Sequence, residues 1–233
     1  MIVPDAWLEH LRAQVPIVRR DADPEGVHQL RVAAGRLSVF LELGGRRMLR
    51  DDLKWLRRGA SAVRDLDLLL AHAPNGAWTD SLLAERRSAW RALDARISDP
   101  RFGALTLALS MEPAIDGDTA REMIAQLRRR AVRAGRPLAK GDTEPQTLHR
   151  LRRKLRRLRY ALEWLDDDAR DVKHMQDELG EINDLSVRWT RLEKAPRDPV
   201  LDELKSDTQD ELAARRARIA YAWRDLHDAV AAR

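Results

Sequence analysis

The chain has 233 residues, no cysteine, and 43 basic against 38 acidic side chains, for a formal net charge of +5. That length allows one large or two small domains with a substantial core, while the missing cysteines exclude disulfides and thiolate metal sites. No apolar run approaches a membrane span, and the start, Met1-Ile2-Val3-Pro4-Asp5, lacks the pattern of a secretory signal, so a cytoplasmic protein is expected.

Leu, Ala, Arg and Glu dominate, and no sustained period-2 run of β-branched residues is present, so the expected class is all-α. Helices are predicted in chain order at 5–20, 24–43, 47–72 and 78–97, then a short piece near 101–111 that bridges the halves. They continue at 117–135, 145–166, 169–193 and 200–231. Prolines such as Pro24, Pro74, Pro100, Pro113 and Pro145 punctuate these segments. Eight main helices fall four and four, in halves of 1–113 and 114–233.

In the 24–43 segment Val27, Leu30, Ala34, Leu37 and Leu41 form an apolar seam, and His28, Arg31, Gly35 and Ser38 occupy the face beside it. The 47–72 segment carries Arg50, Lys54, Arg57, Ser61 and Arg64 along one strip.

Between Gln146 and Tyr160 there are seven Lys/Arg, one His and no acid. There the seam is Leu148, Leu151, Leu155, Leu158, Leu162 and Leu165, made for a bundle core. At 100° per residue, His149, Arg152, Arg156 and Arg159 share an arc of about 80° beside it. Arg150, Arg153, Arg157 and Tyr160 continue around the back. The strip on the 169–193 segment is Ala169, Lys173, Gln176, Gly180 and Asn183. One half is thus rich in cations on its first motif helix and the other half on its second.

These elements repeat. Val27-His28-Gln29-Leu30-Arg31 leading into Arg36-Leu37 matches Leu148-His149-Arg150-Leu151-Arg152 leading into Arg157-Leu158. Val63-Arg64-Asp65-Leu66 likewise matches Ile182-Asn183-Asp184-Leu185 at nearly the same offset, as two halves of a duplicated unit would. A helical histidine followed by arginines, presented twice, suggests a two-sided anion site.

Four segments, 28–32, 63–67, 148–163 and 175–185, resemble the CHAD family, the conserved histidine α-helical domain, and the resemblance covers essentially the whole chain to residue 230. It implies two four-helix bundles related by a pseudo-twofold axis with a basic channel between them. It further implies binding of inorganic polyphosphate and association with polyphosphate granules. Some members are fused to a triphosphate-tunnel catalytic domain, and this chain looks like a stand-alone member. The polyphosphate-binding residues expected are His28, Arg31, Arg36, Arg50, Lys54, Arg57 and Arg64 in the first half. In the second half they are His149, Arg152, Arg153, Arg156, Arg157, Arg159 and Lys173.

The residue types suit that ligand. Guanidinium groups stay charged and bond two phosphate oxygens at once, and histidine bonds phosphate best when protonated. Several alternatives stay open from the residues alone. Each histidine either contacts phosphate or serves as a core residue capping a neighbouring carbonyl or pairing with Asp65 or Asp184. Asp65, Asp67 and Asp184 read as groups that orient arginines or cap helices. The same strips would also attract nucleic acid as a weaker polyanion. A histidine phosphotransfer module, a shared metal ion between the histidines and a scaffold for an acidic protein are further readings. No phosphate loop, no metal motif and no paired catalytic acids occur, so neither a catalytic role nor a cofactor is expected.

Overall fold

The computed structural model describes residues 1–21 and 23–232, with side chains described as far as His227. Nine helices occur among the described residues: α1 Asp5–Arg20, α2 Pro24–Leu43, α3 Arg50–Leu70, α4 Ala77–Ser98, α5 Pro100–Ser110, α6 Gly117–Ala139, α7 Pro145–Glu163, α8 Arg170–Leu192 and α9 Pro199–Ala232. The fold is all-α. A β-bridge pairs Ile2 with Ile115, through amide-to-carbonyl bonds of 2.9 and 2.8 Å.

The helix starts follow local chemistry. Asp23 accepts from the Glu25 amide at 2.8 Å with Pro24 in the first turn, and Asp99 does the same for Arg101 ahead of α5. Both satisfy donors that a helix start leaves open.

The chain divides into two compact units, Met1–Ala120 and Arg121–Arg233. In the first, α1, α2, α3 and α4 pack in chain order and α5 lies against α1, α3 and α4. The expectation that this short helix bridges two halves therefore needs correction. Phe102, Leu105 and Leu109 are buried, which holds α5 within its own unit. Helix α2 is its centre, and the predicted seam of Val27, Leu30, Ala34, Leu37 and Leu41 is at most 1% exposed. Arg86 on α4 is clasped by Asp21 after α1, at 2.7 and 2.8 Å, and by buried Asp67 on α3, at 2.6 Å. This is the arginine-orienting role expected of Asp67.

In the second unit α7 packs on α8 and α8 on α9. Leu148, Leu151, Leu155, Leu158 and Leu162 are buried. The sixth seam member, Leu165, lies beyond the helix. Asp166 turns left-handed at φ 54°, the Asp167 amide bonds the Leu162 carbonyl, and Asp168 accepts from the Arg170 amide to open α8. The acidic run thus ends one helix and starts the next. Helix α6, expected to stop near Gly135, runs on to Ala139. That glycine is a close-approach position: a Cβ there would lie 2.0 Å from the fully buried Trp223 ring of α9.

Candidate functional site

In the second unit the motif helices α7 and α8 run antiparallel, as three contacts show. Near the α7 start, His149 Nδ1 lies 3.4 Å from Asn183 Oδ1, and the Asn183 amide nitrogen donates to Asp184 at 3.1 Å. Further along, the Arg152 guanidinium lies across the Gly180 backbone, 3.8 Å from where a Cβ would stand. At the far end Arg159 meets Asp177 at 3.6 Å and Glu163 at 3.0 Å.

Between the first turns of α7 and the last turns of α8 opens a groove of about 670 Å³. Its lining includes His149, Arg150, Arg153, Arg191 and Lys194 and no Asp or Glu. Leu148, Leu179, Ile182 and Val187 supply its apolar part. Of the predicted residues only His149 and Arg153 line this groove. Arg152, Arg156 and Arg157 are half-buried along α7, Arg159 is held in the carboxylate pair, and Lys173 is exposed at the start of α8.

In the first unit α2 and α3 bring His28, Arg31 and Arg64 into mutual electrostatic range. His28 is half-buried, and its pKa is lowered from 6.5 by burial first, then by Arg31 and Arg64, with Glu25 opposing. Its Nδ1 and the Arg31 Nε are buried with no hydrogen-bond partner among the described residues. The rest of the predicted set is dispersed. Arg36 stacks over the Trp7 ring of α1 at 4.1 Å, and Arg50 pairs with buried Glu42 at 3.4 Å. Lys54 is exposed, and Arg57 is half-buried.

Sequence reasoning assigned no role to Arg188 and Arg216, whose Nε atoms are also buried without a hydrogen-bond partner among the described residues. Arg216 of α9 approaches Ser186 of α8 at 3.4 Å. Their signal was faint: each is an arginine bordering an apolar stripe, a position that usually only shields the core. Arg191 and Lys194 were missed because they lie at the end of α8, away from its motif. No group of three or more His, Asp or Glu side chains that would hold a metal ion occurs among the described residues.

Two helical histidines, each followed by arginines on a helix backed by an apolar seam and packed on a second motif helix, suggest a family pattern. A model of the CHAD domain matches residues 5–193. The chain belongs to the CHAD domain family. The match takes in both histidine helices and their partners α3 and α8, and leaves α9 outside. CHAD domains as a family are associated with polyphosphate. The crystal structure of the CHAD domain from the plant Ricinus communis superposes with a TM-score of 0.68 at 22% identity, covering 99% of this chain and 88% of that one. PptA from Streptomyces chartreusis gives 0.69 at 21% identity, covering 96% of this chain and 100% of its own. At such identities the likeness is one of CHAD fold. No curated protein matches the chain. Among the described residues no CHAD helix is long and apolar enough to cross a membrane.

Proposed function

We propose that this chain binds inorganic polyphosphate without acting on it chemically. The observation that carries the reading is the α7/α8 groove, whose lining presents five basic side chains and no carboxylate. A linear chain of phosphates needs many cationic donors spread over its length, and a face free of acids supplies them without internal neutralisation. Residues 149 to 159 span roughly 15 Å of helix, enough for several consecutive phosphates. The buried Nε atoms of Arg31, Arg188 and Arg216, unbonded among the described residues, support the same reading. A buried donor left unbonded costs roughly 1–3 kcal/mol, and a phosphate oxygen would recover part of that. Association with polyphosphate granules in the cytoplasm follows as the biological setting we propose.

The test is a calorimetric titration with long-chain polyphosphate at about 150 mM salt. Tight binding that weakens steeply with salt is expected, because condensed counterions are released. Arg152→Glu with Arg156→Glu should weaken binding at least tenfold while helicity and melting stay as in the parent. Arg150→Glu with Lys194→Glu should weaken binding as much, because both side chains line the groove. An isotherm unaltered by this groove pair, or no heat from the parent protein, would remove the proposal.

A further inference from the structure

A second basic feature lies on the outer face of α6 and is independent of the polyphosphate reading. Between Glu122 and Asp142 the chain holds no acid, while Arg128, Arg129, Arg130, Arg133, Arg136 and Lys140 are all basic. Arg129, Arg133 and Arg136 follow i, i+4, i+7 spacing, and Lys140 directly follows the helix end. At 100° per residue the three arginines fall within an arc of about 60°, directly opposite the buried Ile124, Leu127, Ala131 and Leu138. All four cations are exposed in the whole chain, and none has a side-chain hydrogen bond or ion pair among the described residues.

An ordinary solvated helix face pairs opposite signs a turn apart, as on α9, where Arg215 bonds Glu211 at 3.0 Å. Like charges three or four positions apart destabilise a helix. Arg136 and Lys140 gain something from the helix C-terminus, but Arg129 and Arg133 lie too far from it. The stripe therefore carries a cost that solubility does not explain.

We infer that this stripe is a docking surface for the phosphate backbone of a nucleic-acid duplex, read without regard to base sequence. Three of the four cations are arginines, whose planar fork suits phosphate. From Arg129 to Arg136 the stripe covers roughly 10 Å of helix, with Lys140 just beyond the helix end, and a duplex strand presents a phosphate about every 3.4 Å of axis. A rigid duplex meets a convex helix without ordering a flexible chain first, which a polyphosphate strand would have to do. The face exposes no large apolar side chain, so it lacks the anchors by which a helix enters a bilayer or a protein partner fills an interface centre.

Binding of a fluorescent 20-base-pair DNA duplex is measured by anisotropy from about 50 to 200 mM salt. Four neutralised phosphates predict a log–log slope of about −3.6, close to a hundredfold loss across that range. The variant Arg129→Gln, Arg133→Gln and Arg136→Gln keeps helix-forming side chains and should flatten the slope to about −0.9. Its affinity for the duplex should fall at least tenfold, with polyphosphate titration changed less than twofold. Arg152→Glu with Arg156→Glu should leave the duplex isotherm in place. The proposal is overturned if the triple variant binds the duplex like the parent, or if the Arg152/Arg156 variant alone abolishes duplex binding. Absence of parent binding at the lowest salt overturns it equally. Loss of polyphosphate binding with the duplex slope intact would instead remove only the polyphosphate reading.

Discussion

His28 is held neutral by its surroundings. Burial disfavours the imidazolium, and Arg31 and Arg64 repel it more than Glu25 attracts it, so its pKa lies below 6.5. In the ligand-free protein the unfolded chain takes up this proton first. The stability due to neutral His28 is therefore fully present above pH 6.5 and is lost as pH falls toward the folded pKa. Under the proposed function, a polyanion bound beside His28 would reverse the balance, its phosphate charge screening the arginines and accepting a hydrogen bond from the imidazolium. Affinity for polyphosphate should then rise as pH is lowered from 8 through 6.5, with proton uptake on binding. Titrations in buffers of different ionisation enthalpy read that uptake directly. His28→Gln should reduce it, and a variant with unchanged uptake would deny His28 the role.

Helix α6 shows how one residue sets an element's packing. Gly135 lies mid-helix, where alanine is normally favoured by roughly 1 kcal/mol. A Cβ there would meet Trp223 Cζ2 at 2.0 Å, and that indole is fully buried. Overpacking of this kind costs roughly 1–3 kcal/mol, so Gly135→Ala should lower the melting temperature despite its better propensity. Gly103 in α5 provides the control, since nothing lies within 4 Å of its missing Cβ. Gly103→Ala should raise stability by roughly 0.4–1 kcal/mol. Equal effects from the two substitutions would mean that α6 and α9 approach less closely than described.

For the whole molecule, like charges gathered on α7 oppose folding until an anion offsets them. Polyphosphate should therefore raise the melting temperature, by linkage equivalent to about 2.7 kcal/mol at a hundredfold excess over Kd. The increment should shrink with added salt as binding weakens. A differential scan at two salt concentrations separates this from general crowding, which would not depend on ionic strength in that way.

The helices, their apolar seams and the two histidine motifs were legible in the sequence, because 3.6-residue periodicity and proline or Asp caps act over a few neighbouring residues. Leu148 to Leu162 were placed in the core by spacing alone. Family membership was legible for the same reason, since its motifs are short stretches on single helices. Even the Arg159–Glu163 pair, at i, i+4, was within reach of a local reading. Partners brought by other elements were not. Arg50 is offset by Glu42 across a turn, Arg36 is occupied by Trp7 of α1, and Arg159 is further tied to Asp177 of α8. The same holds for Gly135, whose meaning depends on a tryptophan from the last helix, and for α5, whose apolar face places it inside the first unit. Sequence by itself determined which faces are basic. Only the tertiary structure decided which charges are neutralised and which line a groove, because electrostatic pairing and close packing act through space between segments far apart in the chain.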